Sequence, residues 1–305
     1  MILCCGEALI DMLPRTSTEG EACYAPYAGG AVFNTAIALG RLGANVGFFS
    51  GIADDMMGEV LMNSLKESQV DTSLVNLSDR PSTVAFVKLV DGHATYAFYD
   101  EGTAGRMLSL DDLPATVEAD AMFFGGISLP VEPCGSTYEA LMMRESATRV
   151  TMIDPNIRPS FIKDESAYRA RIDRMMAAAD IVKLSDEDLA WLVGEGDIVT
   201  AARKIIDMGA KLVCITEGAK GAHGITADQH VFVDATRVEV VDTVGAGDTF
   251  NAGVLASLQD AGLLTKDAVA NLTEAQIASA LSLGTRSAAV TVSRAGANPP
   301  WAKEL

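Results

Sequence analysis

The chain lacks the short motifs by which several common enzyme classes are recognised. It contains no G-x-x-x-x-G-K-[ST] phosphate loop, no G-x-G-x-x-G after its first predicted strand and no G-x-S-x-G. P-loop and Rossmann-type nucleotide binding and the usual serine hydrolase site are therefore unsupported. The histidines are few and scattered, at His93, His223 and His230. We expect neither a histidine-based metal site nor a histidine base.

Cysteine, long apolar runs and positive charge are also scarce. The five cysteines are odd in number and form no C-x-x-C pair, which argues against a disulfide framework or a zinc site and favours a reducing, cytoplasmic location. The sequence has no run of about 18 apolar residues, the length that spans a membrane, and its N-terminus lacks the features of a signal peptide. The net charge of −18 argues against nucleic acid or an anionic membrane as a partner.

Apolar residues are plentiful, and their order along the chain indicates the fold. Hydrophobic residues make up 49% of the sequence, which is enough for a substantial core. Short apolar strands alternate with helical patterns, and this predicts one α/β domain over residues 1–305, with a mostly parallel central sheet and helices on both faces. The predicted strands are Ile2–Cys5, Val46–Ser50, Ala121–Phe124, Val150–Ile153, Ile181–Leu184 and Leu212–Thr216, followed by a hairpin of Gly221–Thr226 and His230–Val233. The predicted helices are Ala31–Leu42, Met57–Ser68 and Ile277–Ala289, with others near 134–147, 165–178, 186–193 and 198–208.

Two early segments break the alternation. Ala22–Tyr27 and Thr83–Tyr99 are typical of strands but have no helix between their parts, and Asp91-Gly92 is a strong hairpin signal. We expect a small β-sheet inserted from about 12–28 and 82–100. Such a sheet would form a lid over the crevice at the carboxyl ends of the main strands, where α/β folds bind ligands.

The most informative motif is Asp242-Thr-Val-Gly-Ala-Gly-Asp-Thr-Phe250. Gly245 and Gly247 allow a tight turn, and apolar residues at helical spacing follow it. A turn at a helix N-terminus favours an anion such as a phosphate group. Asp248 in the same turn could take a proton from an alcohol that attacks this phosphate. An aspartate that merely caps an ordinary helix would give the same local pattern.

Other polar residues follow predicted strands, and those we single out here are Asp11, Gly29-Gly30 with Asn34, Asp154-Pro-Asn-Ile-Arg158 and Thr216-Glu-Gly-Ala-Lys-Gly221. Each alone is common turn chemistry. Because the carboxyl ends of parallel strands meet at one edge of a sheet, their joint placement favours a functional site there.

Two longer segments make the chain resemble the ribokinase-like (PfkB) carbohydrate kinase family. Gly29-Gly-Ala-Val-Phe-Asn-Thr-Ala-Ile-Ala-Leu-Gly-Arg-Leu-Gly43, followed by Phe48-Phe-Ser-Gly51, resembles the N-terminal signature of that family. Asp242-Thr-Val-Gly-Ala-Gly-Asp-Thr-Phe-Asn-Ala-Gly253 resembles the C-terminal one. The segments Gly6-Glu-Ala-Leu-Ile-Asp-Met-Leu-Pro14 and Asp154–Arg158 are most similar to the bacterial fructokinase branch.

The resemblance implies ATP-dependent phosphorylation of a primary sugar hydroxyl, with fructose 6-phosphate as the product of a fructokinase. It implies that Asp248 is the catalytic base and that the amides of Gly245, Ala246 and Gly247 form an anion hole. The other roles that it implies are sugar binding by Asp11, Gly30 and Asn34, a contact of Arg158 with substrate and phosphate, and nucleotide binding by Lys183, Ser185, Thr216, Gly218 and Gly221. Asn34 as a helix cap, Arg158 as a surface salt bridge and Lys220 as a solvated lysine remain the alternatives.

The resemblance also implies two kinds of cation. Mg²⁺ would enter with ATP, bound largely through phosphates and water. A monovalent cation such as K⁺ would lie by Asp242 and the carbonyl groups of Val244, Thr291, Arg294 and Gly296. Two departures from the family pattern bear on this: Ser185 and Asp188 replace the residues of a common N-x-x-E motif, and Pro300 replaces a serine ligand.

The substrate and the assembly remain open at this level. Asp100 stands where kinases of acidic sugars carry a cation, which favours a neutral sugar. The alternatives are a 2-keto-3-deoxygluconate kinase, a ribokinase or a nucleoside kinase of the same family, and, from another class, a non-catalytic sugar-binding regulator. Apolar lid residues such as Val84, Phe86, Val87 and Phe98 would pack against a second subunit in a homodimer or against the chain's own domain.

Overall fold

In the computed structural model, residues 1–90 and 93–305 are described, together with all their side chains except those of 88–90 and 93–96. The strands are β1 (Ile2–Cys5), β2 (Leu9–Thr16), β3 (Ala22–Gly29), β4 (Val46–Phe49), β5 (Gly51–Ala53), β6 (Asn76–Ser78), β7 (Val84–Val90), β8 (His93–Tyr99), β9 (Ala121–Gly125), β10 (Val150–Asp154), β11 (Ile181–Ser185), β12 (Leu212–Thr216), β13 (Gly221–Ile225) and β14 (His230–Asp234). The helices are α1 (Ala31–Arg41), α2 (Met56–Glu67), α3 (Cys134–Glu145), α4 (Glu165–Ala178), α5 (Asp186–Val193), α6 (Ile198–Met208), α7 (Ala246–Asp260), α8 (Lys266–Ala270) and α9 (Glu274–Val292).

The main sheet has the order β14-β13-β12-β11-β10-β9-β1-β4. Within this sheet, neighbouring strands pair in parallel along β4, β1, β9, β10, β11 and β12. The strands β13 and β14 add an antiparallel edge. Strands buried on both faces carry continuous apolar runs, as β1 and β9 do. The predicted mostly parallel sheet with an antiparallel hairpin at its end is therefore confirmed.

The helices cover the sheet on both faces and enclose two hydrophobic clusters. One cluster lies against α1, α7 and α9 and includes Phe33 and Phe250. The other lies against α3, α4 and α6 and includes Phe124 and Tyr138. Because α1 and α7 lie on the same face and pack together, their first turns lie close to each other.

A second sheet of four strands has the order β3-β2-β7-β8. β2 pairs antiparallel with β3 and parallel with β7, and β7 pairs antiparallel with β8. The small additional sheet expected from the sequence is thus present. The proposed hairpin turn at Asp91-Gly92 lies outside the described residues.

Short elements differ from the sequence-based expectation. The chain also forms a parallel pair of three-residue strands, β5 and β6, and the five-residue helix α8. The last long helix, α9, extends beyond the predicted range at both ends, and a capping box of Thr273 and Gln276 fixes its start. Within the described part of the chain, no helix is long and apolar enough to cross a membrane.

Candidate active site

The first turns of α1 and α7 meet at Asp248. Gly30 precedes α1 with φ 111°, and Gly245 precedes α7 with φ 78°. The Asn34 Nδ2 group donates a 2.9 Å hydrogen bond to Asp248 Oδ2, and Thr35 Oγ1 donates to the Asp248 backbone carbonyl at 3.2 Å. The two glycine-rich segments, more than 200 residues apart in sequence, therefore form one site.

Asn34 is not a helix cap. The N-cap position of α1 is Gly30, and the Asn34 backbone N–H already donates within the helix to the Gly30 carbonyl. The Asn34 side chain instead binds the Asp248 carboxylate. The capping alternative is wrong, and this residue is a direct partner of the predicted base.

Free amide groups surround the turn before α7. Among the described residues, the N–H groups of Gly245, Gly247 and Asp248 have no acceptor, as expected at the start of a helix. The Ala246 N–H donates to the Thr243 carbonyl at 3.3 Å. The structure therefore differs from the predicted amide trio: Ala246 is engaged, and the amide of Asp248 itself is available instead.

The buried position of Asp248 changes its acidity. Only 7% of the residue is exposed, and burial raises the pKa of its carboxyl group to about 7. The Asn34 hydrogen bond and the Lys183 charge oppose this rise, while the charges of Asp154 and Glu7 add to it. A carboxylate that titrates near neutrality is well matched to general base chemistry.

The predicted sugar-binding residues lie beside this turn. A Cβ on Gly29 would collide with Asp11 Oδ2, so a side chain there would push the Asp11 carboxylate out of its present position on β2. Burial raises the pKa of Asp11 to about 6. A Cβ on Gly30 would lie 2.9 Å from the Glu7 carbonyl oxygen, and this residue also has positive φ.

Glu7 is a buried residue at this site that the sequence did not single out. Its Oε1 accepts a hydrogen bond from the Ala31 N–H at 2.9 Å, and its Oε2 accepts from the Ser128 N–H at 3.3 Å. Burial raises the pKa of Glu7 despite these hydrogen bonds. A carboxylate at the start of α1 is favoured by the free amides there. The sequence signal that could have identified Glu7 was its position within the Gly6–Pro14 segment, which resembles the bacterial fructokinase branch.

Asp154 joins three elements at the carboxyl end of β10. Its Oδ2 accepts hydrogen bonds from Lys183 Nζ on β11 at 2.9 Å and from Asn251 Nδ2 on α7 at 2.8 Å. Its Oδ1 accepts from the Asn156 N–H at 3.1 Å. Lys183 is thus buried and paired beside α7.

Arg158 is exposed and faces solvent near this network. Its Nη1 donates to the Ile157 carbonyl at 3.0 Å, and it forms no salt bridge with any described residue. The surface salt bridge that was an alternative for Arg158 is therefore not formed. Its guanidinium charge remains available to a ligand.

Ser185 and Asp188 form a capping box on α5. Ser185 Oγ accepts from the Asp188 N–H at 3.0 Å, and Asp188 Oδ2 accepts from the Ser185 N–H at 3.5 Å. Asp188 Oδ1 also accepts from the Ile157 N–H at 3.1 Å. This departure from the N-x-x-E pattern therefore stabilises the helix start and ties it to the loop that carries Arg158.

The predicted nucleotide-binding turn links β12 to β13. Thr216 ends β12 and pairs with Ser185 at the end of β11. Gly218 and Gly221 both have positive φ, and the Glu217 N–H donates to the Gly221 carbonyl at 2.9 Å. Lys220 is 72% exposed and pairs with Glu217 at 2.7 Å, which agrees with the solvated alternative.

The residues expected around a monovalent cation lie together. Asp242 Oδ1 accepts from the Val244 N–H at 3.0 Å, and Oδ2 accepts from the Gly296 N–H at 2.9 Å. The carbonyl of Thr291 accepts from the Arg294 N–H at 3.1 Å. The loop before α7 and the loop after α9 are therefore joined. In the part of the chain described, no group of three or more His, Cys, Asp or Glu side chains could hold a metal ion.

The charge at Asp100 is compensated. Asp100 Oδ2 forms a 2.9 Å ion pair with Arg106 Nη1, and both side chains are largely buried. A paired carboxylate repels an acidic ligand far less than a free one. The argument for a neutral substrate from Asp100 alone is correspondingly weaker.

Comparison with known proteins gives one consistent family. The family model described as pfkB family carbohydrate kinase matches residues 1–304. A fructokinase from Rhizobium leguminosarum bv. trifolii is 63% identical over 275 residues, covering 90% of this chain and 84% of the relative. The 78 curated proteins with significant similarity include fructokinases from other bacteria and from a plant.

Solved structures give the same result. A fructokinase from Xylella fastidiosa with bound ATP has a TM-score of 0.87 and 29% identity, covering 97% of this chain and 93% of that one. A fructokinase from Vibrio cholerae O395 with fructose, ADP and calcium has a TM-score of 0.84 and 27% identity, with coverage of 97% and 94%. Another structure of a variant of that protein holds fructose, ADP and potassium. Aminoimidazole riboside kinase from Salmonella enterica has a TM-score of 0.83 and 28% identity, with coverage of 97% and 94%.

Proposed function

Since the chain belongs to the pfkB family of carbohydrate kinases, we propose that this ATP-dependent kinase phosphorylates fructose at its primary 6-hydroxyl group. The observation that carries the proposal is the position of Asp248, buried between the first turns of two helices beside unpaired amides. The 63% identity to a fructokinase supports fructose as the sugar.

Asp248 acts as the base. The Asn34 amide occupies Oδ2, so Oδ1 remains to accept the proton of the sugar hydroxyl. As the sugar oxygen bonds to the γ-phosphorus of ATP, the bond from that phosphorus to ADP breaks. The amides of Gly245, Gly247 and Asp248 stabilise the charge on the transferring group, and they are already oriented before the reaction.

Asp11, Gly30 and Asn34 bind the sugar. The Asp11 carboxylate can accept hydrogen bonds from two hydroxyl groups, and Asn34 can both donate and accept. Gly30 lets a hydroxyl approach the start of α1 because it has no side chain. Asp11 and Asp248 would disfavour an anionic sugar in the same pocket, whatever the pairing of Asp100.

The turn of Thr216, Gly218 and Gly221 binds the nucleotide, and Arg158 contacts its phosphates. Ser185 lies at the adjacent strand end, where its hydroxyl is shared with the cap of α5. Mg²⁺ would be held by ATP oxygens and water, with the oxygen-rich strand ends around Asp188 available to that hydration shell.

A K⁺ ion beside the anion hole is part of the proposal. Its ligands would be the Asp242 carboxylate and the carbonyls of Val244, Thr291, Arg294 and Gly296, which are hard oxygen donors. The hydrogen bonds from Val244 and Gly296 to Asp242 support this by bringing the two loops together. A relative's structure that holds potassium supports this. Such an ion would hold the loops on either side of Gly245 in place.

A second candidate is a nucleoside-type substrate, because aminoimidazole riboside kinase is a neighbour of nearly the same similarity as the fructokinases. An ADP-release assay with fructose, ribose, 2-keto-3-deoxygluconate and aminoimidazole riboside separates these substrates. We expect the highest kcat/KM with fructose. A higher value with any other member of the panel would overturn fructose as the substrate, and binding of fructose without ATP consumption would indicate a regulator.

A further inference from the structure

Lys183 is a buried lysine whose hydrogen-bonding capacity is largely unused. Its side chain is 5% exposed and its Nζ binds Asp154 Oδ2 at 2.9 Å. An ammonium group has three N–H donors, and among the described residues Asp154 is its only acceptor. Burial lowers the pKa of Lys183, but the carboxylates of Asp154, Asp188 and Asp248 together more than offset this, so the raised pKa keeps the group charged. A buried charge with unsatisfied donors indicates that a further partner is missing.

The ammonium group faces the turn before α7. A Cβ on Gly247 would lie 3.0 Å from Lys183 Nζ, which is its one close contact among the described residues outside the adjacent residues and the backbone of α7. The Lys183 charge also acts on Asp248, since it opposes the rise in the pKa of that carboxyl group. Lys183 Nζ therefore lies next to one of the free amides that would bind the transferring phosphoryl group.

A fixed network holds Lys183 in this place. Asp154 Oδ2 is shared between Lys183 Nζ and Asn251 Nδ2, at 2.9 and 2.8 Å. Asn251 lies one helical turn after Gly247 on α7, so the same face of the helix carries the amide and the support. The network thus joins β10, β11 and α7, and it fixes the distance between the ammonium and the anion hole.

From these contacts we propose that the Lys183 ammonium group contacts the transferring phosphoryl group, and that Asp154 and Asn251 are its positioning residues. The proposal rests on the proposed kinase reaction. The bond between the sugar oxygen and the γ-phosphorus forms while the bond to the ADP oxygen breaks, and the hydroxyl proton passes to Asp248. Lys183 keeps its protons throughout and stabilises the negative charge on the phosphoryl oxygens. A chain with net charge −18 needs placed cations for this purpose.

The substitution Lys183→Met tests the contact. We expect kcat to fall by about 10²–10³-fold, because the loss of one well-placed donor to transition-state charge has this effect. The Kd of fructose, measured by calorimetry without nucleotide, should change little. Lys211→Met is the matched control, since Lys211 is an exposed lysine just before β12, at the amino ends of the parallel strands and away from the site at their carboxyl ends. It should retain the wild-type kcat.

The variant Lys183→Met leaves the Asp154 carboxylate buried without its partner, and this can prevent folding. The double variant Asp154→Asn/Lys183→Met removes both charges. We expect it to fold and bind fructose but to lose kcat as Lys183→Met does. In Asp154→Asn alone, the Lys183 ammonium group remains but is held less firmly. The kcat of this variant should therefore lie between that of the double variant and that of the wild type. A double variant with a kcat within a few-fold of Asp154→Asn would show that the ammonium group has only a structural role.

A structure of the wild-type protein with ADP, aluminium fluoride and fructose provides the second test. We expect Lys183 Nζ within hydrogen-bond distance of a fluoride in the anion hole. Nζ still bound only to Asp154 and out of reach of the fluorides would overturn the proposal. Wild-type activity on the sugar panel separates this outcome from a failure of the proposed function, because the Lys183 tests can be done with whichever sugar is phosphorylated.

Discussion

The acidity of one residue, Asp248, should govern how the rate depends on pH. Burial raises the pKa of its carboxyl group to about 7, and a base must be unprotonated to accept a proton. We expect kcat/KM for the sugar to be constant above this pH and to fall about tenfold per unit below it. Initial rates between pH 5 and 9 measure this dependence.

The variant Asn34→Ala tests whether the same carboxyl group sets this pH dependence. The Asn34 hydrogen bond favours the charged carboxylate, so its loss should move the acidic limb to higher pH. A kcat/KM that stays flat down to pH 5 in the wild-type protein would contradict a base of raised pKa.

The same burial should make Asp248 a source of instability above neutral pH. A carboxyl group whose pKa is higher in the folded than in the unfolded state contributes stability that is fully present below its unfolded pKa and is lost as the pH rises to its folded pKa. This loss of stability is complete above about pH 7, where the folded protein has to bury the charged carboxylate. The variant Asp248→Asn removes this titration while its amide oxygen can still accept from Asn34. We expect the variant to be more stable than the wild type by about 1–3 kcal/mol at pH 8.

Urea unfolding at pH 8 and pH 5 checks this difference. The excess stability of the variant should decrease from pH 7 downwards and become small near pH 4. A difference that is the same at both pH values would show that the charge of Asp248 does not affect folding.

Single residues were predictable from sequence where the partner lay within the same motif. Asp248 and Gly245 belong to one turn, and the turn indicated an anion site. Glu7 escaped notice because its partners, Ala31 and Ser128, are distant in sequence. The hydrogen bond between Asn34 and Asp248 is likewise a product of the fold, although the resemblance had placed both residues in one site.

At the scale of the element, the start of α7 should tolerate no side chain at Gly245. This residue has φ 78°, and a Cβ there would lie 2.7 Å from Ala297 Cβ. Gly262, which follows the other end of α7, has φ 67° and open space around it. Both substitutions to alanine should cost about 1 kcal/mol of stability through backbone strain. Gly245→Ala should cost more than this, because its Cβ also meets Ala297.

Only Gly245→Ala should also displace the anion hole. We expect its kcat to fall by at least about tenfold while Gly262→Ala remains close to the wild type. Thermal unfolding and steady-state kinetics on both variants provide the comparison. An equal effect of the two substitutions on kcat would mean that the geometry of this turn is not important for the reaction.

The longer elements were predictable because their apolar periodicity extends over several turns or a whole buried strand. The strands β1, β9, β10 and β12 and most helices lie within a few residues of the predicted ranges. The pair β5 and β6 was missed because three residues are too few for a periodic pattern. At α5, the sequence showed that Ser185 and Asp188 depart from the N-x-x-E pattern, but it did not show that the two residues form a capping box.

At the scale of the whole molecule, the second sheet presents an exposed aromatic cluster. Tyr24 and Phe86 pack edge to face at 5.1 Å, and Phe86 and Tyr99 at 5.7 Å. Tyr24 is 47% and Tyr99 63% exposed. We infer that this cluster contacts a second copy of the chain. Aromatic side chains at such exposure are typical of interfaces.

The variant Tyr99→Asp should therefore weaken a homodimer. Leu110→Asp, at a residue 58% exposed and outside this sheet, is the matched control. Sedimentation velocity over a range of concentrations should show a dimer for the wild type and the control, and dissociation for Tyr99→Asp. A wild-type monomer at all concentrations would contradict the inference.

The overall architecture followed from the alternation of strands and helices, and the small second sheet followed from the break in that alternation. The pairing of β2 with β7 could not be predicted, because 67 residues separate these strands and no local pattern fixes their register. The pairing of Asp100 with Arg106 likewise depends on how the segment after β8 folds back.

The central claim is that Asp248 takes the proton of the sugar hydroxyl, and the variant Asp248→Asn tests it most directly. Single-turnover phosphorylation of fructose and calorimetric binding of fructose should be measured on the same preparation. We expect the variant to bind fructose with nearly the wild-type Kd and to lose about 10²–10⁴-fold in the rate of phosphoryl transfer. A folded variant that binds fructose and transfers the phosphoryl group at close to the wild-type rate would contradict the account.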